Sequence, residues 1–266
     1  MEAEQRKPIE AKADSHPTYM DVRAEIGISE HLGGLAFTDA LHRLCHLDSA
    51  QEVLEVGCGV GIGAVYLAKR YRCRVVAIDL SEKMLAWARQ RVLREGVAGR
   101  IEFRQADVRQ LPFDDGRFDA VLVESVLAFV EDKHTAIHEL LRVIRPGGYL
   151  GLNEVFWIRP PTPEFVAHAK RVWGSQVLTE AEWRALWEAT ALEERTIEAR
   201  AMQAKQDFRD RAMWIGWRSF LPALGRVLRL VLTDSGARNS IREQFAVPPG
   251  LIHYMGYGLF AGRKPR

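Results

Sequence analysis

The stretch Val53-Leu-Glu-Val-Gly57-Cys-Gly59-Val-Gly61-Ile-Gly63 decides how this chain of 266 residues is read. A short apolar run broken only by Glu55 leads into glycines at every second position. Glycine is needed where the backbone turns sharply and where a ligand comes too close for a Cβ. The following residues, Gly61–Tyr71, carry helical spacing, and a helix that starts directly after such a turn presents free N–H groups. Asp79 ends the next predicted strand, roughly 20 residues on, where a carboxylate can accept both hydroxyls of a ribose.

The turn alone leaves more than one reading open. Gly59-Val-Gly61-Ile-Gly63-Ala64 satisfies the GxGxxG/A pattern of a dinucleotide-binding turn, which would serve an NAD-dependent oxidoreductase. Glu55 argues against that ligand, because it puts negative charge where a pyrophosphate would sit. It suits a ligand that carries an ammonium group.

Working outward, strand-like and helix-like segments alternate: Glu52–Val56, Gly61–Tyr71, Arg74–Ile78, Ser81–Glu95 with Ser81 as N-cap, then a strand at Ile101–Gln105. A buried strand follows at Phe118–Glu124, a helix at His134–Ile144, and a strand at Tyr149–Val155 after the Pro146-Gly147-Gly148 turn. This alternation with short connections predicts an α/β fold with a doubly wound, mainly parallel sheet. Further on, Pro160-Pro161-Thr162-Pro163 is a rigid connector, Thr179 caps a helix to about Thr190, and Ile197–Met202 reads as a strand. Residues 205–246 read as helical throughout, with Pro222 at a helix start and Asp234-Ser235-Gly236 at a break, before a last strand at Tyr254–Gly262.

The combination of E-x-G-x-G-x-G at Glu55–Gly61, Asp79, Gln105-Ala-Asp107-Val108 and Arg145-Pro146-Gly147-Gly148 resembles the class I S-adenosylmethionine (SAM) dependent methyltransferases. Within them it is similar to the type 11 group of quinone, sterol and small-amine methyltransferases, over about residues 30–157. The resemblance implies a Rossmann-like fold and SAM as cofactor. It puts Glu55, Gly57, Cys58 and Gly59 around the methionine part, Asp79 on the ribose, and Leu80 and Met84 against the adenine. Asp107 would accept from the adenine amino group, and the Val108 N–H would meet a ring nitrogen. Glu124 and Ser125 would border the methionine end and the acceptor. Glu124 and Tyr19 are the candidates for a catalytic part, Tyr19 as an aromatic on a lid formed by the N-terminal segment through His31-Leu32-Gly33-Gly34. A protein with this fold that binds SAM without turning it over is the remaining alternative.

Composition narrows the classes. The chain is 47% hydrophobic and 27% charged, with 37 Lys+Arg against 35 Asp+Glu, a net charge of +2. That describes a globular protein with no global bias toward nucleic acid. Residues 1–16 are polar, with no apolar signal-peptide core, and no stretch is long and apolar enough for stable membrane insertion, so a cytoplasmic location is expected. Cys45, Cys58 and Cys73 form no CxxC pair. His42 and His46, like His134 and His138, share helix faces expected to be partly exposed. Thr135 stands where a zincin would need Glu, so no metal site is read.

The acceptor is expected to be a small, partly apolar molecule. Strand four ends Glu124-Ser-Val-Leu, without the Asn/Asp-Pro-Pro-aromatic signature of enzymes that methylate nucleic-acid amino groups. The chain divides into a tail and lid segment (1–34), a SAM-binding core (35–204), a helical insertion that acts as acceptor lid (205–246) and the final core strand (247–266). Within the insertion Trp214, Trp217 and Phe220 cluster, and Leu224, Val227, Leu228 and Val231 form a stripe opposite Arg226 and Arg229. Arg209, Arg211, Arg218, Arg238 and Arg242 add positive charge that can meet an anionic group of the acceptor.

Overall fold

The computed structural model describes residues 17–29, 32–47, 52–203, 206–207, 209–210 and 217–266. Residues 1–16, His31, Arg211 and Trp214, named above, lie outside them, as do the side chains of Trp217 and Arg218.

Helices α1 (Tyr19–Ile26) and α2 (Gly34–Leu44) precede the alternation β1 (Glu52–Val56), α3 (Ile62–Arg70), β2 (Arg74–Asp79), α4 (Glu82–Arg94) and β3 (Ile101–Gln105). It continues through β4 (Phe118–Glu124), α5 (Lys133–Val143) and β5 (Ile144–Trp157) to α6 (Pro163–His168). A single π-helical turn, Ala169–Trp173, leads to β6 (Leu178–Thr179), α7 (Glu180–Glu188) and β7 (Glu193–Ala201). Between β7 and β8 (Met255–Arg263) lie α8 (Trp217–Thr233) and α9 (Ser235–Phe245).

The sheet runs β3-β2-β1-β4-β5-β8-β7, with the two-residue β6 beside the end of β5. β1 to β5 are parallel, whereas β8 is antiparallel to both β5 and β7. The expected doubly wound, mainly parallel sheet is present. Its winding reverses between β1 and β4, and the cleft at the strand C-terminal ends at such a reversal is where ligands bind.

The period of two along each strand sorts the core into two layers. Leu54, Val56, Val121, Val123, Leu150 and Leu152 face α5 and α7. Val53, Ala77, Ala120 and Leu122 face α2, α3 and α4. By the same parity Glu55, Glu124 and Asn153 point to the α2–α3 side, and Glu154 to the α5 side. Ser81, Thr179 and Asp234 cap α4, α7 and α9 through their side chains.

Four expectations are corrected. β5 begins at Ile144 and bulges opposite β4, instead of starting after the glycine turn. Pro222 lies inside α8 and not at its start, at the cost of one backbone hydrogen bond. His42 is 1% exposed, sandwiched between Tyr66 and Tyr71, since α3 packs over that face of α2; His46 stays exposed. In α8, Arg226 turns inward, its guanidinium 4.6 Å over the Trp87 ring and its Nε donating to the Ile26 carbonyl, while Leu224 and Leu228 turn outward.

Candidate functional site

Gly57, Gly59 and Gly61 all have positive φ (71°, 52° and 75°), which β-carbon sterics disfavour for other residues. The N–H groups of Gly57 and Cys58 both donate to the Ile78 carbonyl at 2.8 and 2.9 Å, which ties the turn to the end of β2. Asp79 completes the tie. One carboxylate oxygen accepts from the Gly59 N–H at 2.8 Å, the other from the Ser81 N–H at 2.9 Å. Burial raises the Asp79 carboxyl above the usual carboxylate range, opposed by these backbone donors.

Glu55 sits beneath this turn. Its Oε1 fills the place of a side chain at Gly63, where a Cβ would meet it at 2.0 Å, and the Ala64 N–H donates to the carboxylate. Its Oε2 is shut from solvent and has no hydrogen-bond partner among the described residues. Burial raises the Glu55 carboxyl well above its ordinary value, and the nearby Glu124 and Asp79 charges add to the shift. The Cys58 thiol is likewise pushed up by burial and by Glu55 and Asp79. An acidic group held so is matched by a cationic ligand group, which favours its ionised form.

Glu124 is held from two elements. The Thr38 hydroxyl of α2 donates to both of its oxygens at 3.2 and 3.0 Å, and Asn153 of β5 donates from Nδ2 at 3.2 Å. The same Asn153 amide donates to the Leu32 carbonyl at 2.8 Å, so β5 latches the segment before α2. Ser125 has φ +57°; its N–H donates to the Asn153 carbonyl and its Oγ accepts from the Leu32 N–H. A cavity of about 40 Å³ lies between Glu55, Glu124, His42, Cys58 and Ser29. Ser29 closes it, since its Oγ accepts from the Val60 N–H at 3.0 Å.

At the other end of the cleft Leu80 is 67% exposed, a free apolar surface beside β2. Met84 is buried against Ala24 and Val60, beneath α1. Val108 belongs to the core. Asp107 is occupied by Arg109, which donates from its backbone and guanidinium at 2.6 to 3.1 Å and holds the carboxyl low. The structure thus gathers Glu55, the glycines, Asp79, Glu124 and Ser125 around one cleft, whereas Asp107 must exchange its arginine partner to meet a ligand.

Tyr19 stacks on Phe129, with ring centroids 6.4 Å apart, and the Arg23 guanidinium lies over the Tyr19 ring, 5.3 Å from its centroid. Helix α1 is held by three neighbours. Trp87 of α4 donates to the Ala24 carbonyl, Arg226 of α8 to the Ile26 carbonyl, and Ser240 of α9 to the Pro17 carbonyl.

Sequence reasoning missed Ser29, Thr38, Asn153 and Glu154. Asn153-Glu154 interrupts an apolar strand, and buried polar groups demand partners, so the signal was present. Glu154, fully buried, accepts from the N–H groups of Val126, Leu127 and Ala128 and thereby fixes the loop after Glu124. Burial raises its carboxyl to about 7 despite those donors and Lys133. A raised native value means its contribution to stability is complete below its ordinary value of 4.5 and is lost as pH rises through about 7. The stability advantage of the wild type over Glu154→Gln should therefore shrink by roughly 3 kcal/mol across that window. Thermal melts of both proteins against pH measure it; a constant difference would mean Glu154 is charged throughout.

Comparison with known proteins fits this geometry. Residues 54–152 match the family model described as a methyltransferase domain. Methyltransferase GfsG of Streptomyces halstedii is 34% identical over 122 residues, 46% of this chain and 44% of that protein. The chain spans about half or less of the length of the curated relatives it matches. Among solved structures, the 4+2 cyclase SpnF superposes with a TM-score of 0.72 at 22% identity, covering 94% of both chains. Phosphoethanolamine N-methyltransferase 2 of Haemonchus contortus, solved with S-adenosyl-L-methionine, gives 0.73 at 18% identity, covering 98% of this chain and 62% of that one. Both share the fold. Residues 54–152 of this chain thus form a methyltransferase domain, within a fold shared with a methyltransferase solved with S-adenosyl-L-methionine.

Proposed function

We propose that this protein transfers the methyl group of SAM to a small, partly apolar acceptor and releases S-adenosylhomocysteine. The observation that carries the reading is the Glu55 carboxylate, buried beneath the glycine turn with Oε2 unpartnered and with Glu124 and Asp79 nearby. Three acidic side chains around one cleft complement a cation and oppose the pyrophosphate that an NAD-dependent oxidoreductase would bind.

Bound SAM supplies a methyl group already activated by its sulfonium. Glu55 holds the ammonium end, the Gly57-Cys58-Gly59 backbone allows close approach, and Asp79 accepts the ribose hydroxyls with its remaining lone pairs. Leu80 and Met84 flank the adenine, with Asp107 and the Val108 N–H on its edge. Glu124 and Ser125 border the transfer point. Thr38 and Asn153 fix the Glu124 carboxylate. The segment from Tyr19 to Ser29 keeps water out, with Tyr19 facing the acceptor side. Orientation in a dry site can contribute about 7–11 kcal/mol of the barrier, and a general base is needed only for an acceptor that must lose a proton to react.

In this reading 35–204 and 247–266 make up the core, 1–34 the lid, and 205–246 an acceptor lid that acts through α1, which α8 and α9 grip. The acceptor is not a nucleic acid. Three free, buried cysteines suit a reducing compartment, and we place the reaction in the cytoplasm. Among the described residues no helix is long and apolar enough to cross a membrane.

The test is incubation with methyl-labelled SAM and fractionated small metabolites, scoring S-adenosylhomocysteine and the labelled product. A labelled small molecule is the expected result. The likeness to a 4+2 cyclase over nearly the whole chain favours, as second reading, a reaction on this fold without methyl transfer. SAM binding without S-adenosylhomocysteine from any fraction would rule out methyl transfer, in favour of this reading or of SAM binding without turnover, and tight NAD binding without SAM binding would overturn all three.

A further inference from the structure

Helix α8 turns a leucine face away from the protein. Leu221, Leu224, Leu228 and Leu232 recur at helical spacing and are 60%, 56%, 59% and 71% exposed. Phe220 beside them and Phe245 at the end of α9 are exposed too. The opposite face carries Ala223 and Arg226 and packs on α1 and Trp87. A contiguous apolar stripe of this kind marks an interaction surface.

Its charge decides the partner. From Trp217 to Thr233 there are three arginines, of which Arg226 is turned inward, and no acid; from Trp217 to Phe245 the sequence holds five arginines against Asp234 and Glu243. This excess of three is larger than the net +2 of the whole chain. Arg229, Arg238 and Arg242 are exposed. Apolar side chains flanked by arginine, on a helix that does not span, are the composition of an element lying in the headgroup region of an anionic bilayer.

Two other occupants fit less well. A second copy packed α8 against α8 would bring two helices of like charge together, with no acid between Trp217 and Thr233 to compensate. Residues 1–16 offer only Met1 and Ile9 as large apolar side chains, too few to cover four leucines. We propose that the outward face of α8 docks this protein reversibly on an anionic lipid surface, with Leu221, Leu224, Leu228 and Leu232 in the interface and Arg229, Arg238 and Arg242 on the headgroups. This holds whether or not the cleft transfers methyl groups.

Vesicle sedimentation tests it with the full chain. The wild type should sediment with vesicles of equal parts phosphatidylglycerol and phosphatidylcholine, remain in solution with phosphatidylcholine alone, and be released at about 0.5 M salt. The double variant Leu224→Glu, Leu228→Glu should lose about tenfold or more in partition, with an unchanged melting temperature. The wild-type comparison of the two vesicle types stands by itself should the variant fold poorly. Absence of binding to anionic vesicles, equal binding to both types, or undiminished binding by the folded double variant would overturn the proposal. So would a wild-type dimer that the variant breaks while neither binds vesicles, which would assign the face to a second copy.

Discussion

Replacing Asp79 by alanine is expected to weaken SAM binding by about a hundredfold. The side chain does two things. It ties the glycine turn and the start of α4 together through Gly59 and Ser81, and it keeps lone pairs directed at the ribose position in the proposed complex. Hydrogen bonds to a charged acceptor are worth about 1.5–3 kcal/mol each, and losing two ribose contacts corresponds to about 3 kcal/mol or more. Relaxation of the turn adds to that, so Asp79→Asn, which keeps one acceptor, should fall between variant and wild type. Calorimetric titration with SAM measures the effect. A folded Asp79→Ala protein that bound SAM like the wild type would remove Asp79 from the site.

The second large effect has opposite signs for stability and binding. Glu55 is an acid whose burial, with Glu124 and Asp79 nearby, raises its carboxyl well above the ordinary range. A raised native value means its stability contribution is complete below the ordinary carboxylate value and is lost as pH rises. Glu55→Gln should therefore make the ligand-free protein more heat-stable on the neutral side, and leave it little changed in acid. The same change removes the partner of the ammonium group, so SAM affinity should fall by about ten- to a hundredfold. In the wild type, where burial favours the protonated form of Glu55, binding a cation there is expected to release protons. Calorimetry in buffers of different ionisation enthalpy would read that release, and Glu55→Gln should abolish it. Proton release that persisted in the variant would show that another group answers the ligand.

Short-range patterns carried much of the core. β1, β2 and β4 are runs of β-branched and aliphatic residues, and helices between parallel strands start where Ser81 and Asp132 accept from the N–H three residues on. The glycines at 57, 59 and 61 announce positive φ because few other residues tolerate it. Glu55 and Asp79 were legible as carboxylates beside that turn because each lies at or next to the end of a strand. The pairing of Asp107 with Arg109 was missed although both lie in one tripeptide-spaced turn, because an exposed arginine has many alternatives and only the folded loop selects one.

Other features depend on neighbours distant in sequence. His42 is buried because α3 brings Tyr66 and Tyr71 over it. Glu124 is positioned by Thr38 and Asn153, residues 86 and 29 places away. Glu154 draws its three donors from the loop after β4, which reaches it only when β4 and β5 pair.

The amphipathic pattern of α8 told the same story for either orientation, so the outward turn of its leucines came only with the docking of Arg226 on Trp87 and Ile26. The sequence by itself determined what local sterics and the strand period decide: where the backbone turns, which residues share a face, and which carboxylates end the strands at the cleft. The tertiary structure alone decided which of those faces meet, because burial, hydrogen-bond partners and raised carboxyl values arise only when distant elements exclude water from between them.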